Sequence, residues 1–198
     1  VASKFLNDIC IPIHASTVLS KKGVIAFMGD KNSGKTTLTI SNVLWKDCSL
    51  VSDDITFVGT DSKGRVICDC LFNGVHVLEG EKYIYKNKLF MGEHEPHEFI
   101  KNRMTFKNEY VTQEPCVLRM LILPTIREEG AHKTIQITNT LKKKEAIVKN
   151  IINLGVDYFD NFDNIVQSLC ETVEFYTVGI GKNFLDSMNY ISNLYSEK

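Results

Sequence analysis

The 198-residue chain carries 23 Lys and Arg against 24 Asp and Glu, a net charge of -1, which leaves no basic field to hold nucleic acid or an anionic membrane surface. With 43% apolar and 24% charged residues it has the composition of a globular domain able to bury a core, and its length fits a single domain over 1–198. No run approaches the ~18 apolar residues of a membrane span and no signal peptide leads the chain, so a cytoplasmic setting and a small or peptidic ligand are expected. The chain begins at Val1 rather than Met, which leaves room for an upstream segment.

Taken in order, Val1, Phe5, Leu6 and Ile9 fall at helical spacing, and Pro12 ends that helix before IPIHASTVL, which reads as a strand. Lys21-Lys22-Gly23 predicts a hairpin turn into VIAFMG, a continuous apolar strand of the buried kind. A glycine-bearing loop follows, and Lys35 to Trp45 predicts a helix entered from glycine. CSLVSDDITFVG gives a strand, two aspartates and a second strand; DSKG is a turn and RVICDC its return. Residues 71–114 show no clear period. CVLRMLILPTI reads as a strand closed by Pro124, KTIQITN as a short strand, and LKKKEAIVKNIINL as a helix with Leu141, Ile147, Val148, Ile151 and Ile152 on one side. DNIVQSLCETV continues helical, EFYTVGIG returns as a strand, and NFLDSMNYISNLY closes the chain as an amphipathic helix. This alternation predicts the α/β class, with a mixed central sheet and flanking helices. The six cysteines include no CxxC pair, and Cys68 and Cys70 alternate with charged neighbours, so they read as reduced core thiols.

The chemistry gathers at FMGDKNSGKTTLT, where Gly29, four variable residues and Gly34-Lys35-Thr36 have the spacing of a phosphate-binding P-loop. A triphosphate needs many donors without bulky side chains in the way. Glycines at both ends let the backbone approach closely, successive amides point at the phosphates, and the following helix adds its positive end. Lys35 would reach the β- and γ-phosphates and the Thr36 hydroxyl would ligate Mg²⁺, with Gly29, Asn32, Ser33, Gly34 and Thr37 completing the nucleotide contacts. Asp30 and Lys31 are exposed loop positions with no role assigned. Strand, loop, helix is the order that makes the spacing credible; the alternative is a coincidental turn.

Phosphoryl transfer also needs a metal-side carboxylate and a group to orient the acceptor. Asp53 and Asp54 stand eighteen and nineteen residues after Lys35, where an adjacent parallel strand would deliver carboxylates to the loop. Neighbours on an extended strand point to opposite faces, so the pair divides labour only if the strand ends there; a plain strand-ending turn is the alternative. His14 lies in an apolar strand, where a hydrogen-bonded core histidine is the ordinary occupant.

PIHASTVLSKKGVIAFMGDKNSGKTTLT followed by LVSDD resembles the nucleotide-binding core shared by bacterial HPr kinase/phosphorylase and phosphoenolpyruvate carboxykinase, over residues 11–58. The resemblance implies a fold like the HPr kinase C-terminal domain, ATP and Mg²⁺ as cofactors, and Gly34, Lys35 and Thr36 as phosphate and Mg²⁺ ligands. It implies Asp53 as the group taking the proton from an attacking hydroxyl, Asp54 as the metal-side carboxylate, and His14 in a supporting electrostatic role. TVGIGKN is similar to a glycine-basic-Asn segment late in HPr kinases. The Glu-rich-glycine signature of those enzymes is not found, and the chain is shorter than a carboxykinase. The resemblance is therefore to smaller HPr kinase-related proteins, some of which phosphorylate serine in ribosomally made precursor peptides.

The expected partner is a peptide or protein carrying a serine hydroxyl, with a homo-oligomer left open by the hexamers of HPr kinases. Two other functions stay open: a regulatory module that binds ATP without transfer, and a kinase for free serine or another small metabolite. Glu93, His94, Glu95, His97 and Glu98 read as a solvated loop rather than a metal cluster. Arg103, Arg119 and Arg127 are candidates for a charge-stabilising guanidinium, and LKKKE for the solvated start of a helix.

Overall fold

The computed structural model describes residues 10–69, 74–78, 90–98, 101–112, 114–126, 133–152, 159–181 and 184–195; the helix expected over residues 1–9 lies outside them. The strands are β1 (Ile11–Ile13), β2 (Ala15–Ser20), β3 (Gly23–Met28), β4 (Ser49–Ser52), β5 (Thr56–Thr60), β6 (Val66–Asp69), β7 (Gly74–Leu78), β8 (Phe90–Glu98), β9 (Lys101–Phe106), β10 (Cys116–Ile126), β11 (Thr134–Gln136) and β12 (Glu174–Ile180). The helices are α1 (Lys35–Trp45), α2 (Thr140–Lys149), α3 (Phe159–Thr172) and α4 (Phe184–Tyr195), with a 3₁₀ turn at Asn108–Tyr110.

The main sheet runs β1-β5-β6-β10-β3-β2-β4, with β12 on β10 and β11 on β12. It is mixed but mostly antiparallel: among the described residues only the β10–β3 and β10–β12 ladders are parallel. β3 explains itself by its pattern. Ile25 and Phe27 enter a core with Leu38, Ile40 and Val43 of α1 and Met188, Ile191 and Tyr195 of α4. Val24, Ala26 and Met28 enter a second core with Ile147 of α2 and Ile165, Val166 and Leu169 of α3. A strand covered on both faces has no solvent side, hence the unbroken apolar run.

Four expectations are corrected. IPIHASTVL is two strands, because the chain bends at His14: β1 leaves to pair with β5, while β2 pairs with β3 and β4. Pro124 does not close β10, which continues to Ile126 paired with β12. The β3 ladder ends at Ile122, so the missing N–H of proline falls beyond that neighbour. The helix read through residue 154 stops at Lys149, where Asn150 caps it and Ile151 turns away to bridge Ile13, leaving Leu141 and Val148 exposed. The span Glu93 to Glu98 is strand β8 rather than a loop, in a second sheet of order β7-β9-β8. That sheet sends Val75 and Phe106 into the α1 core.

The described cysteines, Cys10, Cys48, Cys68, Cys116 and Cys170, are free thiols, and all but Cys116 are buried. Burial pushes the Cys48 thiol up to about 11. Tyr195, at the end of α4, donates from its hydroxyl to Asn42 Oδ1 of α1, inside the core. Tyr195→Phe leaves that buried oxygen without its donor and is expected to cost about 1–3 kcal/mol in urea denaturation. A loss below ~0.5 kcal/mol would show that the bond contributes little.

Candidate active site

Between β3 and α1 the chain makes a loop from Gly29 to Gly34. Ser33 N–H closes it onto Asp30 O at 3.2 Å, and Asn32 and Gly34 take left-handed φ values of 66° and 91°. Asn tolerates that region and glycine enters it without a Cβ penalty. Gly34 is the N-cap of α1 and offers no side-chain cap, and the first turn holds no acidic residue. The positive end of the helix therefore faces the loop without a side-chain anion from that turn. Lys35, only 5% exposed, donates from Nζ to Gly29 O at 3.0 Å and Asp30 O at 2.9 Å. Ser33 Oγ is buried with no hydrogen-bond partner, next to where a Cβ on Gly29 would stand, 3.2 Å away. A buried ammonium, a helix terminus without a cap and an orphaned hydroxyl form a donor set suited to an anion.

The aspartates follow β4. Ile55 N–H bonds back to Asp53 O at 2.8 Å, Ser52 Oγ donates to Ile55 O, and Asp54 adopts a φ of 62°. The strand ends and turns there, as two separate roles require. Asp53 accepts from Ser16 Oγ at 2.5 Å and from Thr36 Oγ1 at 3.1 Å. Asp54 lies instead beside His14, Oδ1 to Nε2 3.8 Å, with the two side chains 41% and 33% exposed. Thr36 thus contacts Asp53, whereas the resemblance pairs its metal role with Asp54. The expected adjacent parallel strand is also corrected: β4 is parallel to β3, but β2 runs antiparallel between them. The hairpin at Lys21-Lys22 causes this, and it carries Ser16 to Asp53.

The structure therefore brings Lys35, Thr36, Asp53, Asp54 and His14 to one end of the sheet, with Gly29, Asn32, Ser33 and Gly34 in the loop and Thr37 in the first helical turn. Sequence reasoning missed Ser16; its signal was a hydroxyl two residues from His14, at the start of a strand that also carries Thr17. It also missed that Asp30 is paired, with Lys149 Nζ 2.9 Å from its Oδ2. Arg119 does not belong to the site, because it packs over Gly23 at the opposite end of β3. Arg127 lies outside the described residues, and Arg103 is on β9 of the second sheet. Lys143 of LKKKE is not a solvated charge: it donates to Cys170 O at 2.7 Å, at the negative end of α3, and lies 5.0 Å from the Phe175 ring. Among the described residues no group of three or more His, Cys, Asp or Glu could hold a metal, and no helix is long and apolar enough to cross a membrane.

No protein-family model matches the chain, and no curated protein matches it in sequence. Among solved structures the chain is similar to the Hpr(Ser) kinase/phosphatase from Coxiella burnetii, at 12% identity and a TM-score of 0.48, over 92% of this chain and 89% of that one.

The hydrogen bond and charge of Lys149 hold the exposed Asp30 carboxyl below its ordinary value. A carboxyl lowered by folding adds stability that is present above its unfolded pKa and disappears as pH falls through its folded one. Lys149→Ala should move the Asp30 titration seen by NMR back up toward the ordinary carboxylate range. Any difference in melting temperature between wild type and variant should shrink in acid. An unmoved titration midpoint would show that the pair does not form in solution.

Proposed function

We propose that the chain is an ATP- and Mg²⁺-dependent phosphotransferase that moves the γ-phosphoryl group to a serine-type hydroxyl of a peptide or protein. The observation that carries this reading is the Thr36–Asp53 contact of 3.1 Å, which joins the loop-and-helix donor set to a pair of carboxylates. Anion binding alone would have no need of Asp53 and Asp54 at the same place.

On this reading the loop is a P-loop. Gly29, Asn32, Ser33, Gly34, Lys35, Thr36 and Thr37 hold the nucleotide phosphates, with Lys35 exchanging carbonyl oxygens for phosphate oxygens and Ser33 Oγ gaining a partner. Thr36 and a carboxylate hold Mg²⁺, which when bound offsets charge on the phosphoryl group in transfer. The resemblance gives the acceptor proton to Asp53 and the metal side to Asp54. The contacts favour the reverse: Asp53 stands by Thr36, held by Ser16, while Asp54 stands by His14 with room toward solvent. Asp54 then orients the acceptor hydroxyl, and His14 adds a polar neighbour. An ordinary carboxylate is a weak base toward an alcohol, so its proton moves late, and positioning with electrostatics supplies most of the rate.

Intact-mass analysis after incubation with Mg-ATP tests the reading and its competitors. One added phosphate on a candidate peptide supports it; phosphorylation of free serine alone moves it to metabolites; nucleotide binding with no transfer to any acceptor makes the chain a regulatory module. Asp53→Asn and Asp54→Asn should each lower transfer by about 10²–10⁴-fold. Asp53→Asn should also raise the Mg²⁺ concentration needed for half-maximal rate, and Asp54→Asn should not. Unchanged turnover in both variants would sink the roles given to the two aspartates.

A further inference from the structure

We propose that Lys149 is a second phosphate-binding cation of this site, resting on Asp30 in this structure and passing to the triphosphate when nucleotide binds; the proposal rests on the nucleotide reading above. Lys149 is the last residue of α2, and its Nζ lies 2.9 Å from Asp30 Oδ2, on the residue that follows Gly29 in the loop.

The backbone beneath Lys149 is fixed without its side chain. Asn150 O accepts from His14 N–H at 2.7 Å, Ile152 N–H donates to Pro12 O at 2.9 Å, and Ile13 bridges Ile151. Ile147 and Asn150 are buried, at 0% and 5% exposed. The end of α2 is thus sutured to β1 and to the bend at His14 that follows it. The ion pair itself is exposed, 66% for Lys149 and 71% for Asp30, and a pair so open to water holds little of the fold together. It can break without loosening the helix.

Its position gives the pair a use. Asp30 offers its carbonyl to Lys35 and its carboxylate to Lys149, so two ammonium groups flank one residue of the loop. A polyanion entering the loop meets Lys35 from inside and Lys149 from the rim. It also meets the Asp30 carboxylate, which repels it unless offset. A triphosphate carries several charges against the single one of Asp30, and a lysine on a flexible stem follows the larger charge.

The experiment measures dissociation constants for Mg-ATP and for inorganic tripolyphosphate in wild type, Lys149→Ala, Lys149→Arg and Asp30→Asn. Loss of one charge-assisted contact should weaken both ligands about tenfold in Lys149→Ala. Lys149→Arg should retain most of the affinity, and Asp30→Asn should tighten binding by releasing the cation and removing the repulsion. Wild-type binding with Lys149→Ala unchanged overturns the inference and leaves the nucleotide reading standing. Equal weakening by Lys149→Ala and Asp30→Asn marks the pair as a brace of the loop and also overturns it. A wild type that binds neither ligand removes both readings.

Discussion

Keeping the Lys35 ammonium out of water is the constraint on which this end of the molecule depends. A cation at 5% exposure must be given oxygen partners in place of water, and the Gly29–Gly34 loop curls so that two of its own carbonyls serve. That curl demands left-handed backbone at Asn32 and Gly34, and it leaves the first turn of α1 without a side-chain cap. Lys35 and Thr36 are consecutive in that turn, so the helix that buries the ammonium also aims the hydroxyl at Asp53. The polar end is built by burial inside the core, not added to a finished fold.

The hairpin strand β2 is the second determinant. Because it separates β3 from β4, the carboxylates reach the loop across a strand rather than from the next one, and that intervening strand contributes Ser16 to the Asp53 carboxylate. The same strand starts where the chain bends at His14. The bend frees β1 to pair with β5, holds the His14 N–H on Asn150 O, and leaves the imidazole near Asp54. One break in an apolar segment thus sets a sheet register, a helix attachment and a site contact together.

Much of this was legible in the sequence where the signal is local. The α1 boundaries, the hairpin at Lys21-Lys22 and the aspartate turn depend on glycine, spacing and short-range hydrogen bonds, and the structure has them where the residues placed them. What failed was decided at long range. Pro124 looks like a strand end until the pairing of β10 with β3 is known to stop at Ile122. The bend at His14 follows from a pairing with β5 more than forty residues on. Charged β8 reads as loop because its pattern shows no apolar alternation, and only β9 beside it makes it a strand. Asp30 looked idle because its partner, Lys149, is 119 residues away. The separate contacts of Asp53 with Thr36 and of Asp54 with His14 follow from a single left-handed residue, Asp54, which local sequence does not announce.

The two cores divide the site between them. Lys35 and Thr36 ride on α1, whose packing uses Ile25 and Phe27 on one face of β3. Lys149 and the attachment at His14 ride on α2, whose packing uses Ile147 on the other face. A change in either core therefore moves one wall of the site against the other, and β3 and β10, which contribute side chains to both cores, keep the walls in register. Side-chain packing near crystal density transmits such shifts rather than absorbing them.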